Sequence, residues 1–435
     1  MIKLGRLLSG MLIAICFHSV ALGQLGSTLN GVGPISRSMG GASTAAPLDT
    51  LGAFQWNPAT ITALPSSTDF GLELLFPHSS LTSRVNANSL GPGVPPVTLA
   101  GQNNSQSGVF PLPEFGVVYN PEDSLASYGL GVLMVGGFGV NYPGSSTNPV
   151  LTPPPPAGLG VGPIFTQYQL MQLVPTIAFQ VTDRLSIGFS PIINLASLSV
   201  DPGFITAPDP GTGIYPPMNH GSMQWGAGFQ LGAFYVAENY WQYGASFKST
   251  QWFSDFEYNS KDSAGVAIRP QFGLDAPMTI SLGTAYTGIE HLLIAVDARY
   301  LNYAGTNGYA DSGFQPTGAF AGLGWKDIFA ISAGTQYQMT DFASVRLGYS
   351  FNTNPISDNQ AFFNIGSPLI IEHGAYVGTS YNVTSRFKIS LTYNHFFENS
   401  VSGPIYHPVA GALAGTNVTS TASADSIIAG ASFTY

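Results

Sequence analysis

The chain has 435 residues, enough for one large domain or two ordinary ones, yet only 8% are charged, against about a quarter in an ordinary soluble protein. A formal charge of −10 argues against nucleic acid as a partner. A helical membrane protein is excluded too: beyond the N-terminus the longest run of apolar and glycine residues, 129–140, falls short of the roughly 20 residues a spanning helix needs.

Residues 1–23 read as a secretory signal, with Lys3 and Arg6, an apolar run over 11–17 and the small-residue site "ALGQ", which predicts cleavage before Gln24. Cys16 is the only cysteine, and Ile15 before it is too bulky for a lipoprotein signal. The mature chain is therefore expected to hold no disulfide and no thiolate metal site. Next comes "DTLGAFQWNPATI", residues 49–61. It has one charge and neither helical stripe nor strand alternation, but Phe54, Trp56 and Ile61 demand burial.

From residue 68 onward the dominant period is two. In "SRFKISLTYNHF", Phe387, Ile389, Leu391 and Tyr393 share one face while Lys388, Ser390, Thr392 and Asn394 share the other. "SVRLGYSF" and "YWQYGASFK" repeat the pattern. Strands are expected at 68–76, 113–120, 127–137, 167–181, 184–198, 222–236, 240–253, 276–286, 291–304, 325–339, 342–352, 372–383, 385–399 and 424–435. Short acidic or polar turns such as "NPEDS", "TDR" and "TGIEH" alternate with long Gly/Pro-rich links such as "NPVLTPPPPAGLG". That alternation, an even count of fourteen and an aromatic terminal strand predict an all-β fold: an antiparallel transmembrane barrel with tight periplasmic turns and long outer loops. Residues 24–67 precede the barrel, which spans 68–435. Aromatics near strand ends, Tyr240, Trp241, Trp252, Phe253, Trp325, Phe396, Phe397, Phe433 and Tyr435, are expected to form interfacial girdles. A soluble sandwich is the competing fold, disfavoured by the turn pattern and the exported N-terminus.

The segment "RSMGGASTAAPLDTLGAFQWNPATI" and the later strands "APMTISLGTAYTG", "AVDARYLNYA" and "HGAYVGTSYNVTSRFKISLTYNHFFEN" resemble, in order and spacing, the FadL/TodX (OmpP1/FadL/TodX) family of outer-membrane channels for long-chain fatty acids and other hydrophobic compounds. Asn57, Pro58 and Ala59 match the family's hatch signature, and Thr60 departs from a common glycine. The resemblance implies a fourteen-stranded barrel closed by an N-terminal hatch inside the lumen. It also implies passive uptake through a lumen pocket, hatch movement and lateral release beside a kinked third strand. Gly136 and Gly137 in "VLMVGGFGVNY" are the expected kink, and the Asn57–Ala59 bend is expected to dock there. Phe54, Trp56 and Ile61 would then be buried in the lumen.

Lys248, Asp297, Arg299, Arg346 and Lys388 are the charges read on inward faces. Arg299, Arg346 and Lys388 are candidates to meet a carboxylate head group; the competing reading pairs such charges with the hatch or with each other, Asp297 with Arg299 first. No catalytic, metal or cofactor site is expected: His78, His220, His291, His373, His395 and His407 lack H-E-x-x-H spacing, and no G-x-S-x-G elbow or phosphate-binding glycine pattern occurs. A barrel phospholipase, for which outward-facing His395 is the one candidate, is set aside. So is a 22-stranded energy-coupled receptor, for want of a large plug. An open diffusion porin, or a structural barrel without lipophile specificity, is the alternative function. Expected partners are a hydrophobic small molecule, outer-membrane lipids and, through the C-terminal strand, the barrel assembly machinery. The protein is expected to be a monomer in the outer membrane of a Gram-negative-type bacterium.

Overall fold

The computed structural model describes residues 22–218, 221–262 and 264–435. All but the last two residues of the expected signal therefore lie outside the described residues, as does His220. Fourteen strands form the wall: β1 Ser67–Val85, β2 Phe110–Tyr119, β3 Ala126–Tyr142, β4 Ile164–Gln180, β5 Leu185–Asp201, β6 Ser222–Val236, β7 Trp241–Lys248, β8 Thr279–Ile289, β9 Leu292–Leu301, β10 Ile328–Thr340, β11 Ala343–Asn352, β12 Glu372–Asn382, β13 Phe387–Gly403 and β14 Thr416–Thr434. Each pairs antiparallel with the next, and β14 returns to β1 from Ser67↔Thr434 to Val85↔Thr416, which closes the barrel and leaves no free edge. Count and order are as expected. Extents differ where loops join the wall: β1 runs nine residues past the expected end at 76, because its upper half pairs with Leu99–Asn104 as well as with β14.

The period-two pattern becomes an inside and an outside. Phe70, Leu72 and Leu74 on β1, and Leu391 and Tyr393 on β13, point outward and are exposed, while Asp69, Glu73, Thr392 and Asn394 point inward and are buried. Such a surface suits lipid, and an inward polar face suits a lumen. Tyr240, Trp241, Phe433 and Tyr435 sit exposed at the short-turn end, as a girdle requires. Trp325 and Phe396 do not join a girdle. Both are buried inside, Trp325 against Tyr303 and Tyr309 and Phe396 against Tyr376, because lumen volume near the loop end is filled by aromatic rings.

The segment before β1 lies within the barrel as a hatch. Helix α1, Pro34–Ser38, and helix α2, Thr50–Trp56, are buried along their whole lengths, and a 3-10 turn, Pro58–Ala63, follows. Phe54, Trp56 and Ile61 are all buried. The Phe54 ring occupies space left by Gly129 and Gly131 on β3, where any Cβ would collide with it, and packs closely on Gly116 of β2. Inward glycines on the wall therefore serve as sockets for hatch side chains.

Candidate functional site

Charge seats the hatch. Arg37 of α1 donates through Nη2 and Nε to the two carboxylate oxygens of Glu73 on β1, at 2.5 and 3.1 Å, with both side chains buried. Glu114 of β2 is a second buried carboxylate facing that guanidinium. On the opposite wall, Asp297 of β9 accepts from the backbone amides of Ser43 and Thr44, both at 2.9 Å, and from Arg299 Nη2 at 2.6 Å. Arg299 also donates to the Gly41 carbonyl at 2.6 Å and to Asn30 Oδ1 at 3.1 Å, and lies 3.8 Å above the Trp56 ring. The expected Asp297–Arg299 pair forms, and the hatch supplies most of its further partners, with Ser332 of β10 accepting from Arg299 Nη1 as well. Glu73, Glu114 and Asp69 were missed as inward charges, although the alternation of "DFGLELL" sets Asp69 and Glu73 opposite Phe70, Leu72 and Leu74.

Arg346 and Lys388 lie elsewhere. They line a polar cavity of about 130 Å³ at the short-turn end beside Leu48, where Arg346 donates to Gln336 Oε1 at 2.6 Å and Ser380 Oγ at 2.8 Å. The three cations considered for a head group are thus not gathered in one place. Near this cavity, burial and the neighbouring Asp69 push the Asp49 carboxyl of the hatch up to about 7, against the pull of Lys388 and Arg346.

The Asn57–Ala59 bend does not dock on the third strand. Asn57 Nδ2 donates to the carbonyls of Ala233 on β6 at 2.9 Å and Thr44 at 2.8 Å, and Asn57 Oδ1 accepts from the Ala59 amide at 3.1 Å. The cause is local space: Gly232 on β6 and Gly188 on β5 leave room for Asn57, Pro58 and Ala59, and a side chain at either would collide with them. Thr60, where a glycine is common in the resembling family, donates through Oγ1 to the Asn57 carbonyl at 2.7 Å and braces the turn.

What docks on β3 is the segment upstream of α1. The β3–β4 ladder shifts register between Met134 and Gly136, leaving Val135 as an extra residue. There the Leu29 amide donates to the Val135 carbonyl at 2.8 Å, and the Gly137 amide donates to the Ser27 carbonyl at 3.0 Å. A Cβ at Gly136 would meet that Ser27 carbonyl. The loop after β9 grips the same segment: Tyr303 OH donates to the Leu25 carbonyl at 2.8 Å and Tyr309 OH to Ser27 Oγ at 2.9 Å.

On the other side of β3 the ladder is interrupted. β2 and β3 pair only from Phe115↔Val132 down to Tyr119↔Tyr128, and contact resumes above at Gln106 N–Asn141 O, 2.8 Å. Between these limits the two strands share no ladder, and this unladdered stretch is termed the window. Behind it is a cavity of about 70 Å³ lined by Leu29, Leu112, Phe110 and Gly136–Gly139. Phe138 also lines a second cavity of about 100 Å³ deeper among the loops, lined besides by Leu198, Val200, Leu274, Phe320, Phe362 and others, none of them charged. A third cavity of about 300 Å³ lies beyond that at the loop end.

Comparison with known proteins agrees with this geometry. No curated protein sequence matches the chain. Among solved structures it is similar to the Pseudomonas putida toluene transporter TodX (17% identity, 94% of this chain and 99% of that one, TM-score 0.66) and to the Ralstonia pickettii toluene transporter TbuX (17%, 94% and 99%, 0.64). A Pseudomonas aeruginosa FadL homologue is similar as well (16%, 94% and 99%, 0.67). These likenesses establish the shared barrel fold. The family profile described as outer membrane protein transport protein (OMPP1/FadL/TodX) matches residues 13–435, and the chain belongs to that family of outer-membrane β-barrel transport proteins.

Proposed function

We propose that the protein is a passive channel for small neutral hydrophobic compounds, which enter from the outer loops, rest in the charge-free cavity and leave sideways through the window between β2 and β3. The carrying observation is that one side chain, Phe138, lines both this cavity and the window cavity, so its displacement would join them into an apolar path from the loops to the lipid-facing wall. An uncharged hydrocarbon gains by leaving water for such a lining. A carboxylate on the same path would lose hydration without a partner.

Uptake of a radiolabelled single-ring hydrocarbon and of a long-chain fatty acid, by cells carrying or lacking the protein, tests this reading. The protein is expected to speed hydrocarbon entry, and deletion of Val135, which restores a regular β3–β4 ladder, to abolish the gain. Entry unaffected by the deletion overturns lateral release.

A second reading has a carboxylate reach Arg346 and Lys388 after the hatch shifts, and rests on the polar cavity beside Leu48. It requires Arg346→Ala with Lys388→Ala to slow fatty-acid uptake and spare the hydrocarbon. A cysteine pair at Thr62 and Ser186, whose side chains meet at 2.8 Å where the hatch touches β5, separates the routes. Uptake that stops on oxidation and returns with reductant demands hatch movement, whereas uptake unchanged by the cross-link leaves the window route.

A further inference from the structure

Between the loop-end cavity and the inner cavity stands a wall of rings. Phe204, Phe320 and Phe362, with Val150 and Val161, line both spaces at once. Phe204, in the loop after β5, and Phe320, in the loop after β9, stack with ring centroids 5.1 Å apart and planes at 17°. The two loops are tied at this point by the Phe320 amide donating to the Phe204 carbonyl and by Tyr215 OH donating to the Gly318 carbonyl, each at 2.8 Å. Phe314 and Phe363 meet the Phe320 ring edge-on at 5.2 Å, fixing its tilt.

From these observations we infer that the Phe204–Phe320 pair is the size-selecting gate of the channel, admitting flat molecules of about one aromatic ring and holding back larger fused-ring compounds. The inference rests on the reading of the protein as a hydrophobic-compound channel. Three features carry it. The space narrows from about 300 Å³ outside the pair to about 100 Å³ inside it, so a guest that fits the outer cavity need not fit the inner one. A dry apolar cavity of the order of 150 Å³ accommodates benzene, so an inner space of about 100 Å³ takes a single ring only as its lining side chains give way, and nothing larger. Finally, the near-parallel rings, with centroids 5.1 Å apart, are offset-stacked, so each leaves part of a flat face open against which a flat guest can lie in the same offset fashion.

The test is entry of toluene, naphthalene and phenanthrene into cells that depend on this protein for hydrocarbon uptake. Wild type is expected to favour toluene over phenanthrene. Phe204→Ala and Phe320→Ala should each lower that preference about tenfold, the scale on which apolar pockets discriminate by size, while toluene entry persists. Phe204→Leu and Phe320→Leu, which keep apolar bulk but remove the flat faces, should move the preference in the same direction. Heat-modifiable migration of each variant verifies that its barrel is folded. An unchanged preference in folded variants that still pass toluene overturns the gate and leaves the channel reading intact. Wild type that passes none of the three overturns the channel reading itself.

Discussion

Arg37 shows what a buried charge demands of its neighbours. With Glu73 paired to it inside the lumen, removal of its guanidinium leaves a buried carboxylate without its counter-charge. Arg37→Ala is expected to cost about 3–5 kcal/mol, read as a lowered urea midpoint of the heat-modifiable band. Asp49 responds to pH instead. Its native carboxyl, held at about 7 by burial and by Asp69, keeps a proton that the unfolded chain releases near 4. The native state then binds more protons across that interval, so stability contributed by the protonated form falls as pH rises from about 4 to about 7 and is level above it. Asp49→Asn should flatten that slope in a pH series of thermal midpoints; an unaltered slope would place the titration elsewhere.

At the scale of the strand, facing decides consequence. Leu391 on β13 is 53% exposed on the outer face, so Leu391→Arg should cost about 2–4 kcal/mol if that site lies near the bilayer midplane, measured by unfolding in lipid vesicles. Its neighbour Ser390 faces inward, but Ser390→Arg is not the mild change that a roomy lumen would allow. Ser390 is buried and shares a hydrogen bond of 2.6 Å with Ser380, which in turn holds Arg346. The strands were legible because lipid outside and polar groups inside impose the same period along every one of them. Burial of Phe54, Trp56 and Ile61 was legible for a related reason, since no other place could dry them. The docking of Asn57 on β6 was not, because it depends on Gly188 and Gly232 falling at matching heights on two strands, a matter of register that alternation leaves open. Nor was the grip of Tyr303 and Tyr309 on the segment beside Val135. Those residues belong to loops, where no period exists to be read, and the cavities built from loop residues were hidden for the same reason.

For the whole molecule, the outward apolar band and closed ladder predict recovery in the outer-membrane fraction, with migration in detergent gels that changes on heating; recovery in a soluble periplasmic fraction would contradict the barrel's setting. The hatch adds a constraint of timing. It comes before every barrel strand in the chain, yet its partners are spread to the far end: Thr392 donates to the Pro34 carbonyl, Asp297 accepts from Ser43 and Thr44, and Arg299 donates to Gly41. Contacts so distant along the chain form late, because loop closure must come first. The segment made earliest is thus fully seated last: Arg37 and Phe54 can meet β1 to β3 early, but Pro34, Gly41, Ser43, Thr44 and the Trp56 ring wait for β9 and β13. Export and assembly must keep those forty-odd residues from collapsing on anything else while the wall that will shelter them is still being laid.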